Sequence, residues 1–309
     1  MIKTIALNAH QLDLFFDSRE VTLVNEVVAA LCAHDSERAA QSIACLRAEA
    51  PAHRDLELFD SLLAFLALFG QLCRDADLAT LDQEALEEVL VILDTQIIPC
   101  ANVLGAAAKG FLRFFWRQLA RVANHPFDPA RPQLHAADLF LHAEAYDAVE
   151  KAANGIVGHA RERAVLRWRA IARHRLSGLK GARPQIFFLA WHAAGDFPAV
   201  LKELNDPLLD RNWLDFQADL DDLDASWFPA WYLLRYPEAA SDVGTTLVQS
   251  IDQGSQPVPA AQAFLLLTRI LDLDKLGHSR ALVEQRERLR AIEGGFFAAY
   301  MRSRSVQQR

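Results

Sequence analysis

A chain of 309 residues can bury a sizeable core and has room for one large domain or two ordinary ones. About half of it is apolar (52%) and 23% is charged, which excludes a disordered chain, while a net charge of -8 argues against a general nucleic-acid binder. Only 13 Gly and 12 Pro occur, so long helices are favoured over a turn-rich β protein.

The opening apolar run reaches Asp13 too quickly for a secretory signal, so a cytoplasmic location is expected. From Glu20 to His34, Val21, Val24, Val27, Val28 and Leu31 recur three and four apart on one helical face, with Asp17 and Ser18 as N-cap types before it. Ser36 is expected to cap the next helix, whose stripe is Ala39, Ile43 and Leu46 and which Pro51 follows. Helices are predicted at about 53–73, 82–95, 102–122, 134–144, 146–156, 159–176, 184–194, 197–205, 209–223, 228–236, 238–253, 258–273 and 279–293, with no run of β-alternation. The punctuation is Asp82 as a cap, Gly178 and Gly181 with Pro184, Pro257 with Pro259, and Gly294–Gly295 after the last long helix. The tail with Arg302 and Arg304 reads as frayed.

Leu62 to Cys73 is the most apolar stretch; it falls short of the ~20 residues that span a bilayer and reads as a core helix, so no membrane is expected as a partner. Phe111, Phe114, Phe115 and Trp116 read as core too. Cys32, Cys45, Cys73 and Cys100 form no CxxC pair and are expected to be reduced, buried small hydrophobes. His125, Pro126, Pro129 and Pro132 mark a candidate boundary, giving lobes 1–124 and 125–309 or else one continuous domain.

Three segments align with one another: one from Leu31 (Leu-Cys-Ala-His-Asp-Ser), one from Leu141 (Leu-His-Ala-Glu-Ala-Tyr) and one from Trp191 (Trp-His-Ala-Ala-Gly-Asp-Phe). Each joins the end of one helix to the start of the next. The second and third match best, Tyr146 with Phe197, Ala148 with Ala199 and Val149 with Val200. With an aromatic residue at the turn (Tyr146, Phe197), a small residue early in the second helix and Pro51 after Ala39, Ile43 and Leu46, the chain resembles the tetratricopeptide-repeat superfamily. The resemblance implies antiparallel helix pairs stacked as an all-α solenoid, with protein or peptide binding in a groove and no chemistry. The second and third copies lie about 50 residues apart, against about 34 in that family, and a helix at 159–176 fills the excess.

No GxGxxG, GxxxxGK[ST], HExxH, GxSxG or EF-hand loop is present. His135, Asp138 and His142 fall near one helical face and include metal-ligand types, but His142 has a counterpart in His192, as a repeat position would. Asp215, Asp219, Asp221, Asp222 and Asp224, interleaved with Leu220 and Leu223, read as the solvated acidic face of a helix. Arg161, Arg163, Arg167, Arg169, Arg173, Arg175, Lys180 and Arg183 crowd one helical stretch and need counter-charge, from the same chain (the Asp215–Asp224 face is one source), an acidic partner, a phosphate-bearing ligand or nucleic acid. Trp227, Phe228, Trp231, Tyr232 and Tyr236 put rings on two faces of one short helix, one face for the core and the other available as a recognition patch.

These features point to a non-enzymatic scaffold that holds a protein or peptide partner, with Trp227, Trp231, Tyr232, Arg163, Arg167, Arg169 and Arg173 as contact residues. No catalytic residue, metal ligand or cofactor is assigned. Two other readings stay open: an all-helical enzyme with a carboxylate or histidine site, and nucleic-acid recognition through residues 161–183.

Overall fold

The computed structural model describes residues 19–74, 82–158, 161–242, 258–277 and 279–307. Among them every regular element is helical. The chain divides into two compact units, Met1–Ala145 and Tyr146–Arg309. The division falls after the Pro-rich segment, because that segment is tied into the first unit. Arg131 donates to Gln83 at 2.8 Å and lies 3.6 Å from Glu87.

Among the described residues the first unit opens with α1 (Arg19–Cys32) and α2 (Ser36–Glu49), packed as a hairpin. The expected caps Asp17 and Ser18 lie outside the described residues. Asp35, not Ser36, caps α2, accepting the Arg38 amide at 3.0 Å, which leaves Ser36 as the first helical residue. The turn is a Schellman reversal, in which the Asp35 amide donates to the Ala30 carbonyl at 3.1 Å and His34 takes φ +58°. The His34 side chain holds that left-handed position, its Nε2 lying 3.0 Å from the Phe111 carbonyl and its ring among Phe111, Phe114 and Phe115.

α3 (Leu56–Arg74) buries Phe59, Leu62, Phe65, Leu66 and Phe69 at helical spacing. α4 (Gln83–Ile92) starts on Asp82, which accepts the Ala85 amide at 2.8 Å. It then runs into a π turn (Leu93–Ile97), a short α turn (Ile98–Ala101) and a 3-10 segment (Asn102–Ala107). Pro99, which has no amide hydrogen, follows the π turn, where a ladder bond is lost. Gly105, at φ +56° and ψ −129°, breaks the direction before α5 (Ala108–Val122), so the helix expected from 102 begins six residues later. α5 buries Phe111, Phe115, Trp116 and Leu119, and α6 (Ala136–His142) packs on it. At the end of α6 the first Schellman turn recurs. The Ala145 amide donates to the Phe140 carbonyl at 2.9 Å and Glu144 takes φ +53°, its carboxylate held by Lys109 and Arg113.

Leu62–Cys73 is expected to be too short to cross a membrane, but another stretch has the length and composition for it. It lies within Gln83–Val122, where an 18-residue window is apolar enough and 28% of that window is buried. The expectation of buried cysteines fails at Cys45, which points outward because the buried stripe of α2 is Ala39, Ser42, Ile43 and Leu46. Cys32 and Cys100 are half-buried and free, and the Cys73 side chain lies outside what is described.

In the second unit α7 (Tyr146–Asn154) packs on α8 (Arg163–His192). α8 is two helices joined at Gly178, whose φ +66° and ψ −174° belong to glycine alone; the connection expected between helices 159–176 and 184–194 is thus reduced to a single-residue kink, with Pro184 inside the helix. A Cβ on Gly181 would lie 2.3 Å from Ser177 Cβ, so the kink also needs its second glycine. There follow α9 (Phe197–Leu204), α10 (Pro207–Asp219), a 3-10 turn (Ala225–Trp227), α11 (Phe228–Arg235), the short α12 (Ala239–Asp242), α13 (Pro259–Leu276), α14 (Arg280–Ile292) and α15 (Gly294–Gln307). The helix expected over 238–253 is described only as far as α12; its remainder, with Pro257, lies outside the described residues.

Tertiary contacts overrule the expected frayed tail. Gly294 and Gly295 open α15, and Phe296 and Tyr300 are fully buried, each apolar ring stabilising by about 1.5–3 kcal/mol. Arg286 donates to the Tyr300 hydroxyl at 2.9 Å, while Asp274 takes Arg286 at 3.2 Å and Arg304 at 2.7 Å.

Candidate functional site

The basic stretch of α8 meets its counter-charge inside its own unit, from acids other than the Asp215–Asp224 run. Arg167 forks onto Glu203 at 2.8 and 2.6 Å, Arg163 lies 3.6 Å from Asp196, and Arg173 pairs with Glu150. Arg175 donates to the Glu203 carbonyl at 3.1 Å. Arg169 is half-buried and donates to the Ala153 carbonyl at 3.1 Å; burial lowers its pKa, with Glu150 partly offsetting that. These guanidiniums join α7 and α9 to α8.

The acidic run is not the face of one helix. α10 ends at Asp219 with Leu220 as its C-cap, Asp221 and Asp222 lie in the turn, and Asp224 caps the 3-10 turn by accepting the Ser226 amide at 2.9 Å. Asp215 and Asp219 sit 3.6 and 3.5 Å from Arg235.

The aromatic residues proposed as contacts are all buried. Tyr232 packs against Phe187 and Tyr236 with the Arg183 guanidinium 5.3 Å above its ring, and Trp227 packs on Phe296; both are core. An exposed recognition patch on Trp227, Trp231 and Tyr232 is ruled out by their burial. Trp231 is core as well, only 1% exposed, and just its edge reaches the surface. It lines a cleft of about 390 Å³ with Asp219, Leu234, Arg235, Ala299, Arg302 and Ser303. Its Nε1 donates to Asp219 at 3.0 Å, and Arg235 lies 5.3 Å over the ring.

His135, Asp138 and His142 do not converge. His135 caps α6, accepting the Ala137 amide at 3.1 Å, and His142 stacks on Trp116 at 4.5 Å while lying 3.4 Å from Asp138. The described residues hold no group of three or more His, Cys, Asp or Glu side chains that could bind a metal.

A second surface lies on α4. Glu84, Glu87, Glu88, Val91 and Ile92 line an open groove of about 560 Å³, with Val91 55% and Ile92 37% exposed. Thr95 turns its hydroxyl back to the Val91 carbonyl at 2.6 Å, and Thr95 and Pro99 continue the exposed row through the π turn. Sequence reasoning placed this helix but took no site from it. The available signal was the change within one helix from three glutamates to Val-Leu-Val-Ile, more apolar residues than the one buried face of α4 uses. Residues 1–145 carry 11 Lys and Arg against 20 Asp and Glu, so the face belongs to an acidic unit.

Compared with known proteins, the chain matches no family model, no curated protein and no solved structure.

Proposed function

We propose that the chain is a non-enzymatic scaffold, built of tetratricopeptide-like helix pairs and working in the cytoplasm, that holds a basic amphipathic segment of a partner protein against α4. The observation that carries this reading is the row of Val91 and Ile92, solvent-exposed and bounded by Glu84, Glu87 and Glu88. Exposed neighbouring apolar side chains rimmed by charge suit a helix laid into a groove, where the apolar anchors supply affinity and the rim selects the sign of the partner. The Schellman turn shared by His34 and Glu144 supports a repeated unit. Nucleic acid is the poorer reading, because Arg163, Arg167 and Arg173 already face carboxylates.

The test uses the full chain and a labelled synthetic helix with leucines three and four apart, flanked by lysines, read by fluorescence anisotropy at low and moderate salt. Binding is expected to weaken with salt and to drop by at least about tenfold in Val91→Asp, since losing one buried valine contact is worth about 1.5 kcal/mol or more. Equal affinity for the same helix carrying glutamates in place of lysines would sink the proposal. So would binding to zwitterionic lipid vesicles in preference to the peptide, which would make this face a membrane contact.

A further inference from the structure

We propose that the outward face of α5 docks an acidic helix of a partner protein, one that carries a glutamate or aspartate at every fourth position. This goes beyond the scaffold reading, which places a basic segment on α4. α5 holds Lys109, Arg113, Arg117 and Arg121 and no acid, so four of the 11 Lys and Arg in residues 1–145 fall on this one helix. They stand four apart, each about 6 Å further along the axis and turned by about 40°. Packing keeps them outside the core. Phe111, Phe115, Trp116 and Leu119 are buried, whereas Arg117 and Arg121 are exposed, as are 71% of the Lys109 side chain and 40% of that of Arg113.

The charge on this row is only partly answered within the unit. Glu144 pairs with both Lys109 and Arg113, so two cations share one carboxylate. Arg121 reaches the neutral Gln118, at 3.3 Å. Arg117 has no ion pair or hydrogen bond among the described residues. The row is therefore positive on a unit whose 20 Asp and Glu outnumber its Lys and Arg. Like charges at i, i+4 repel on a helix, and an opposing row of carboxylates relieves that repulsion. A helix with acids at every fourth position presents a ridge of the same pitch, so its carboxylates fall between successive cations. Gly110 is exposed beside the row, with nothing within 4 Å of where its Cβ would stand, so the partner's backbone can come close. A long polyanion such as nucleic acid would run past the row into the acids of the same unit. A short acidic helix meets the row alone.

The experiment is fluorescence anisotropy of the full chain with three labelled probes at low and moderate salt. They are an alanine-based helix with glutamate at every fourth position, the same helix with glutamine there, and a single-stranded oligonucleotide of equal charge. The glutamate helix is expected to bind at least about tenfold more tightly than the glutamine helix at low salt, and the gap is expected to shrink as salt rises. Arg117→Gln combined with Arg121→Gln removes two exposed side chains that hold no carboxylate. It is expected to cut affinity for the glutamate helix at least about fivefold, with circular dichroism and the melting profile checking that the double variant folds. Val91→Asp is expected to leave this binding unchanged, so failure at α4 and failure here are distinguishable. No binding of the glutamate helix, equal affinity for the two helices, or full binding by the double variant would overturn the proposal. Tighter binding of the oligonucleotide would overturn it too, and would make α5 a nucleic-acid face.

Discussion

His174 and Asp206 join α8 to the start of α10. His174 Nε2 lies 2.9 Å from one Asp206 oxygen, and the other oxygen accepts the amides of Leu208 and Leu209 at 2.9 and 3.1 Å. One carboxylate thus caps a helix and receives a mostly buried histidine thirty-two positions earlier in the chain. Burial raises the Asp206 pKa, but the bonds from His174 and the two amides outweigh it and hold the group below the usual carboxylate range. A group lowered in the folded state stabilises above its unfolded value, about 3.9 for Asp, and that contribution is lost as pH falls through the lowered value. Asp206→Ala is therefore expected to cost about 1–3 kcal/mol at neutral pH, from the lost cap and the unsatisfied imidazole. Urea unfolding at pH 7 and again below pH 4 checks it; the gap between parent and variant narrows in acid.

Histidines set a second pH window. Burial lowers the pKa of His34, His135 and His192, in His135 against the charge of Asp138. The neutral rings favour the fold above the unfolded value near 6.5, and that stabilisation is lost as pH falls through the lowered values. Stability is expected to decline from about pH 6.5 downward. His135→Asn, which keeps an acceptor for the Ala137 amide but does not titrate, is expected to flatten that decline in thermal melts run across the range.

Asn205 ends α9 in the left-handed region at φ +52°, ψ +49°, and it is exposed. Asn205→Gly is expected to raise stability by up to about 1 kcal/mol, and Asn205→Ala to lower it by about the same amount. Opposite shifts of the denaturation midpoint are the check; two shifts of one sign would contradict the backbone explanation.

The kink in α8 yields a rescue experiment. Nothing lies within 4 Å of a Cβ on Gly178, so Gly178→Ala tests backbone strain alone, at about 1–3 kcal/mol. Gly181→Ala drives a methyl against Ser177 and is expected to destabilise comparably. Adding Ser177→Gly is expected to recover part of the loss in Gly181→Ala and none in Gly178→Ala. Equal recovery in both would mean that the clash is not the cause.

The three aligned turns show how far sequence comparison reached. Residues around Leu141 and Trp191 match best by type, yet in backbone geometry it is the turns at His34 and Glu144 that agree. Each places three residues between helices and makes the same long Schellman bond, whereas the third places four, Ala193 to Asp196, and Ala193 ends its helix at φ −140°. The length of the connection set the geometry, and one inserted residue outweighed the likeness of Phe197 to Tyr146.

Helix existence, the cap at Asp82 and the break at Gly178 were legible in the sequence, because each depends on residues within one or two turns of each other. The charge pairings were not. Arg167 meets Glu203 across 36 positions and Arg113 meets Glu144 across 31, and no local pattern prefers those acids to the Asp215–Asp224 run. The same holds for the α4 surface. The sequence by itself determined an acidic, helical chain; only tertiary packing decided that Trp231 and Tyr232 are both core and that Val91 and Ile92 stay in water. Adjacent residues on a helix point about 100° apart, so which of them faces a neighbour depends on where other helices dock.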